Sequence, residues 1–284
     1  MAAIIPTYNR GLAVLRVLEK IHECDPKPSE IWVHIDLADG ALENELSRRF
    51  PDVRVLTSTL RLGPGGGRHR CLEACTTPYA VSFDDDSYPV DTDFFAKVQE
   101  LFLLHPRVAI FGARIWHRRE PERILSENLI LVPSYIGCGY AVRLEAYRGV
   151  RGYLPKPVSY GIEESDLSLQ LFANGWRIAE AGSLRVFHDT ELTHHQSAEI
   201  TSGSIANVAL CAFLHYPAIG LGWGSVQLAN KVAYCIRMGR MHGIMSGLLS
   251  IPIDCFRYRQ YRNPIPWRIL WKFLNFRRAG IAPL

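Results

Sequence analysis

The stretch YAVSFDDDSYP, residues 79–89, decides how this chain folds. A short run suited to a buried strand, Tyr79–Phe83, ends in three consecutive aspartates, Asp84, Asp85 and Asp86. Working outward, the same pattern recurs. Toward the N-terminus lie a strand at Ala2–Ile5 stopped by Pro6, a helix at Gly11–Glu23 and a strand at Glu30–Ile35 ending at Asp36. A helix at Ala41–Phe50 and a short strand at Asp52–Thr57 follow. A glycine-rich turn, LGPGGG at 62–67, then leads into a helix at Arg68–Ala74. Toward the C-terminus come a helix at Phe95–Leu104 and a strand at Val108–Ala113. A turn-rich segment, Gly137–Tyr160, precedes a helix opened by Glu163-Glu164-Ser165-Asp166 and stopped at Gly175. The strand Ile178–Phe187 ends at His188. This alternation predicts an α/β fold with a largely parallel sheet flanked by helices. Ligands bind such sheets beyond the carboxyl ends of their strands. Thr7–Arg10, Asp36 and Asp84–Asp86 are the polar clusters at those ends.

Length and composition narrow the class. The 284 residues are 48% hydrophobic and 21% charged, enough for a real core and too apolar for a disordered chain. The seven cysteines are scattered and odd in number, which fits reduced, mostly buried thiols. Their closest pair, Cys71 and Cys75, lacks the second pair that a zinc site needs. Polar residues at 7–10 interrupt any signal-peptide pattern near the start, so a cytoplasmic location is expected. The net charge of +4 is unevenly spread: 203–284 holds ten bases and one acid, Asp254, leaving the first 202 residues at −5. An acidic body with a basic tail implies an anionic partner for the tail.

Three aligned carboxylates repel one another unless a cation compensates. At a strand end they suit Mg2+ or Mn2+ completed by substrate phosphates, and such an ion offsets charge growing on a leaving diphosphate. The same triplet also suits a solvated turn or a helix cap. GPGGGR offers backbone N–H groups to an anion, but it has neither Walker A nor G-x-G-x-x-G spacing. Glu163, Glu164 and Asp166 are candidates for a general base, though acids in a first helical turn also suit the macrodipole. His188 is a candidate ligand, with His194-His195 as a competing pair.

Taken together these pieces resemble the inverting glycosyltransferases of family 2, with the nucleotide-diphospho-sugar transferase (GT-A) fold. The resemblance is carried by IIPTYNR at 4–10, Asp36, LGPGGGRHRCLEA at 62–74, FDDDSYP at 83–89, GCGYAVRLEAY at 137–147, GIEESDLSLQLFANGW at 161–176 and VFH at 186–188. It implies that Pro6, Thr7, Tyr8 and Arg10 line the nucleotide, with Tyr8 as the stacking ring. Asp36 resembles the aspartate that bonds base or ribose, and Arg68 the arginine near the nucleotide. Asp84 and Asp86 match the outer residues of the D-x-D motif, with Asp85 between them; Asp84, leaning toward the ribose or sugar, and Asp85 would join the nucleotide-sugar-binding residues. Asp86 and His188 would face a divalent metal, Mg2+ or Mn2+. Glu164 stands where the family's base stands, with Asp166 as the other candidate, and the acceptor is expected under the loop 137–160. The implied partners are a nucleotide-sugar donor and a glycan or glycolipid acceptor, in polysaccharide or envelope synthesis.

The organisation expected is therefore a catalytic domain at 1–202 and a helical, basic and aromatic extension at 203–284. Phe256–Arg278 holds seven bases and no acid beside Trp267 and Trp271, and the extension 203–284 as a whole suits either a peripheral contact with the inner face of a membrane or the packing of a helical subdomain or dimer. Its apolar runs, Ile205–Leu214 and Ile244–Ile253, are too short to span a bilayer. A nucleotidyltransferase shares the metal-bound aspartates, but this chain has no Lys from 28 to 96 to activate a triphosphate. A nucleic-acid-binding module could use the tail, yet the body around the cleft is acidic.

Overall fold

The computed structural model describes residues 1–117, 128–158, 160–190 and 197–283. The chain divides into two compact units. One comprises Met1–Pro157, Gln170–Thr190 and Gly280–Leu284; the other comprises Val158–Leu169 and Glu191–Ala279.

The first unit is built on a ten-stranded sheet. In chain order its strands are β1 (Ala2–Thr7), β2 (Glu30–Asp36), β3 (Val53–Ser58), β4 (Tyr79–Phe83), β5 (Ser87–Pro89), β6 (Val108–His117), β7 (Leu129–Leu131), β8 (Gly139–Arg143), β9 (Arg177–His188) and β10 (Ala282–Pro283). They lie in the order β10-β7-β9-β6-β8-β4-β1-β2-β3, with β5 paired to β9. The expected parallel arrangement holds across β4, β1, β2 and β3 and between β6 and β9. It gives way at β8, which runs antiparallel to both β4 and β6. β1 is buried at every residue, as a continuous apolar run between two helical layers must be.

The helices of this layer follow their apolar spacing. α1 (Gly11–His22) buries Val14, Leu15, Val17, Leu18 and Ile21. α2 (Gly40–Arg49) begins at Asp39, whose carboxylate accepts from the N–H groups of Ala41 and Leu42. α3 (Gly63–Ala74) starts five residues earlier than the sequence suggested, so the glycines are helix rather than turn. They are needed for close packing. A Cβ on Gly67 would lie 2.8 Å from His34 Nδ1, and one on Gly63, at φ +74°, would lie 2.1 Å from the carbonyl oxygen of Lys156. α4 (Phe94–Leu104) brings Phe94, Phe95 and Phe102 onto Phe83 and Phe111, an aromatic knot at the centre of the core. Truncating a ring there removes about 3–5 kcal/mol.

The segment Gly137–Tyr160, expected to be mainly turns, contains β8 and α5 (Leu144–Arg148). β8 is buried throughout, including Arg143. That guanidinium donates to the carbonyls of Phe102, at 2.8 Å, and Val108, at 3.2 Å. A satisfied buried arginine is permitted in a central strand, but in sequence it reads as a surface residue.

The helix α6 (Glu163–Ala173) starts in the second unit, and Gly175 ends it at φ +83°, as expected. The second unit also holds α7 (Ala198–His215), α8 (Leu221–Arg237), α9 (Ile244–Arg257) and α10 (Trp267–Ala279). α7 is its centre, with Ile205, Ala206, Leu210 and Leu214 buried. Its Asn207 amide ties down the carbonyls of Val158 and Tyr160, at 3.0 and 3.1 Å. The two short apolar runs fall in α7 and α9, and among the described residues no helix is long and apolar enough to cross a membrane.

Candidate active site

The strand register assembles the polar cluster of the first unit. β1 and β4 run side by side, so Thr7 and Asp84–Asp86 emerge from one edge. β5 then folds back against β9 and places Ser87 opposite His188. β9 beside β6 sets His188 opposite His117.

The three aspartates have different partners. Asp84 receives the buried Arg68 guanidinium, which also donates to Ser82 Oγ at 3.2 Å and to the Gly137 carbonyl at 3.1 Å. Asp85 accepts from Thr7 Oγ1 at 2.9 Å and from Arg10 at 3.2 Å. Asp86 lies 2.8 Å from Arg10 Nη2 and 3.1 Å from His188 Nε2. Their electrostatics diverge accordingly. Burial pushes the Asp85 carboxyl up to about 7, with Arg10 opposing it. Burial also pushes Asp86 up, but the hydrogen bond and charge of His188, with Arg10, leave it below its ordinary value. Burial pulls the His188 imidazole down, and the Asp86 hydrogen bond and the charges of Asp86 and Asp84 reverse this, so it ends raised.

A divalent cation fits these donors. Ligand atoms of Asp84, Cys138 and His188 lie within 4.8 Å of one another, and His188 also meets Asp86. Burial raises the Cys138 thiol far above its ordinary value, so it is a neutral thiol at pH 7. That leaves the Asp84 carboxylate and the His188 imidazole, with the Asp86 carboxylate beside His188, and oxygen and imidazole donors of this kind suit Mn2+ or Mg2+. Cys138 and His117 escaped the sequence reading. Both have a legible signal: a cysteine between two glycines before a strand, and a histidine closing one. The rings of His117 and His188 are 5.3 Å apart, and His117 Nδ1 is buried with no partner among the described residues.

The other predicted residues are placed as follows. Tyr8 is half-buried at the end of β1, and the exposed Arg61 guanidinium lies 4.8 Å from its ring centroid. Pro6 is buried beneath, against α3. Asp36 is also buried; its carboxylate accepts from Ser58 Oγ at 2.9 Å and from the N–H groups of Leu62 and Gly63, each at 2.8 Å. The anion at the N-terminus of α3 is thus the protein's own aspartate.

In the second unit, Glu163 and Asp166 are buried and Glu164 is half-buried in the first turn of α6. Asp166 Oδ1 lies 2.5 Å from His215 Nε2, and both side chains are almost fully enclosed. His215, the last residue of α7, has no motif around it that would have paired it with Asp166. His194 and His195 lie outside the described residues.

A mixed α/β sheet with aspartates at its parallel carboxyl edge, followed by a helical C-terminal region, defines a glycosyltransferase of GT-A type. The chain belongs to glycosyl transferase family 2, whose model matches residues 2–148. Solved structures agree on the fold. One is S. aureus TarS 1–349 in complex with UDP-GlcNAc, with a TM-score of 0.62, 17% identity, and coverage of 98% of this chain and 87% of that one. Another is the mannosyltransferase PcManGT from Pyrobaculum calidifontis in complex with GDP-Man and Mn2+, with a TM-score of 0.59, 16% identity, and coverage of 98% and 85%. At these identities the likeness is one of fold. No curated protein matches the chain by sequence.

Proposed function

We propose that this glycosyltransferase moves a sugar from a nucleotide-diphospho-sugar to an acceptor hydroxyl in one inverting displacement, with a divalent cation as cofactor. The observation that carries the reading is the convergence of Asp84, Cys138 and His188 at the carboxyl edge of the sheet, with Asp86 paired to His188. The nucleotide sugars in the TarS and PcManGT complexes, and the Mn2+ in the latter, support it.

Asp84, Asp86 and His188 would hold the cation. When bound, it supplies positive charge against the diphosphate oxygens as they leave. Tyr8 offers a ring face to the base, over the wall made by Pro6. Arg10 reaches the diphosphate from its exposed position. Thr7 and Asp85 hold one another and keep the strand tip in shape. Arg68 binds Asp84 to the Gly137 turn, so it orients the tip from beneath. Asp36 fixes the start of α3 and faces the ribose or base with its remaining lone pair.

Glu164 is assigned the acceptor's proton. Asp166 is committed to His215, whereas Glu164 is half-buried and not enclosed. A base acting on the attacking hydroxyl, with no protein nucleophile, inverts the anomeric carbon. An envelope glycan or glycolipid is the acceptor class that the basic C-terminal segment favours.

Titration calorimetry with nucleoside diphosphates, with and without Mn2+, tests the donor half. Binding of one diphosphate that strengthens with Mn2+ and weakens in Asp86→Asn is the expected result. Metal-independent binding that Asp86→Asn leaves unchanged would refute the cation assignment.

A further inference from the structure

The second unit carries a surface that sugar transfer does not use. Along α9, Met245, Leu249, Ile253 and Phe256 are 67%, 67%, 58% and 68% exposed. Their spacing puts them on one side of the helix, with Pro252 between them. The other side of α9 is packed: Gly247 and Asp254 are buried, and a Cβ on Gly247 would lie 2.7 Å from the Ser202 carbonyl oxygen. Single exposed apolar residues are ordinary, but four large ones in a stripe across three turns mark an interaction surface.

Charge identifies the occupant. Arg257 and Arg259 follow the stripe, and the Arg259 guanidinium lies 3.9 Å from the centroid of the Phe256 ring and donates to the Phe256 carbonyl at 2.7 Å. Arg237 and Arg240 precede it along the chain. The single acid of 203–284, Asp254, is buried on the packed side. A second copy packed symmetrically, α9 against α9, would bring the same excess of positive charge against this face. A bilayer of anionic phospholipid brings the opposite charge and an apolar interior together. Fourteen residues of helix, about 21 Å, are too short to span that interior and long enough to lie along its surface.

We propose that α9 is an interfacial anchor that lies in the headgroup layer of an anionic membrane. Met245, Leu249, Ile253 and Phe256 enter the acyl boundary, and Arg257 and Arg259 sit at the phosphates. The sequence expectation spread membrane contact over the extension 203–284; the anchor narrows it to one helix face. Vesicle binding and donor turnover are separate measurements, so this proposal stands or falls apart from the sugar-transfer mechanism.

The test is sedimentation of the full-length chain with phosphatidylcholine vesicles, alone or with roughly one-third phosphatidylglycerol. Pelleting with the anionic vesicles, little with the neutral ones, and release as salt is raised are expected. Leu249→Ser/Ile253→Ser and Arg257→Glu/Arg259→Glu should each weaken binding by about tenfold or more, with donor affinity and thermal midpoint unchanged. Wild-type protein that stays in solution with the anionic vesicles overturns the proposal, and so does equal binding to both vesicle types. A wild-type dimer that Leu249→Ser/Ile253→Ser dissociates, with no vesicle binding, assigns the stripe to a second copy and also overturns it.

Discussion

Two acidic clusters, Asp84-Asp85-Asp86 and Glu163-Glu164-Ser165-Asp166, look alike in sequence and are treated differently by the fold. The strand tip draws partners from distant parts of the chain: Thr7, Arg10, Arg68 and His188 all reach it. The helix start commits Asp166 to a buried pair with His215 and leaves Glu164 half-buried. The fold thus separates carboxylates gathered with distant cationic and hydroxyl groups from one enclosed with a histidine and one left half-buried. Residue type and spacing alone do not make that separation.

The contrast can be broken most sharply at Glu164. Glu164→Gln should lower kcat by two to four orders of magnitude, roughly, while donor affinity stays put. Retained turnover in a folded variant would move the base elsewhere, with Asp166 the next candidate. At the strand tip, Asp86→Asn should cost about two to three orders in kcat and make the remaining activity insensitive to added Mn2+. Metal-titrated kinetics of wild type and variant would show this, and a variant still fully activated by Mn2+ would contradict it.

Asp166 should behave as a structural acid. His215→Leu is expected to cost about 3–5 kcal/mol in urea unfolding, because it takes the histidine partner from a buried carboxylate, and Asp166→Leu/His215→Leu should recover part of that loss. Simple additivity of the two single changes would mean that the pair is not coupled. The smallest effect concerns His34, fully buried with both ring nitrogens unpartnered among the described residues. Burial pulls its imidazole down, opposed by the Asp36 charge. The unfolded chain takes up the proton first, so the stability that this group contributes is full above 6.5 and is lost as pH falls toward the lower folded value. Wild type should lose stability between pH 7.5 and 5.5 that His34→Leu does not lose. Parallel pH profiles would remove His34 from this account.

Legibility followed length and repetition. β1, β2 and β4 were readable as apolar runs with a clear stop, and β9 as a segment between the Gly175 helix stop and His188. β8 was not, because Arg143 hides in it and neighbouring carbonyls satisfy its charge. The glycines at 63–67 read as a turn because glycine is a poor helix former, and only the close approach of Pro6, His34 and Lys156 explains their place in a helix. The membership of Asp84, Asp86 and His188 in one cluster was readable through motif order. The membership of Cys138 and His117 depended on β8 folding beside β4 and β6 beside β9, pairings that no local pattern specifies.

By itself the sequence determined the strand–helix alternation, the acidic strand tip, the acidic helix start and the excess of base after residue 202. These follow from the order of side chains along the chain, and hydrophobic periodicity records them directly. Tertiary structure alone decided that Asp166 belongs to His215, that Arg68 serves Asp84, and that α9 turns four large apolar residues outward. Each of those outcomes depends on which distant backbone arrives within hydrogen-bonding or van der Waals distance, and that is a property of packing rather than of local sequence.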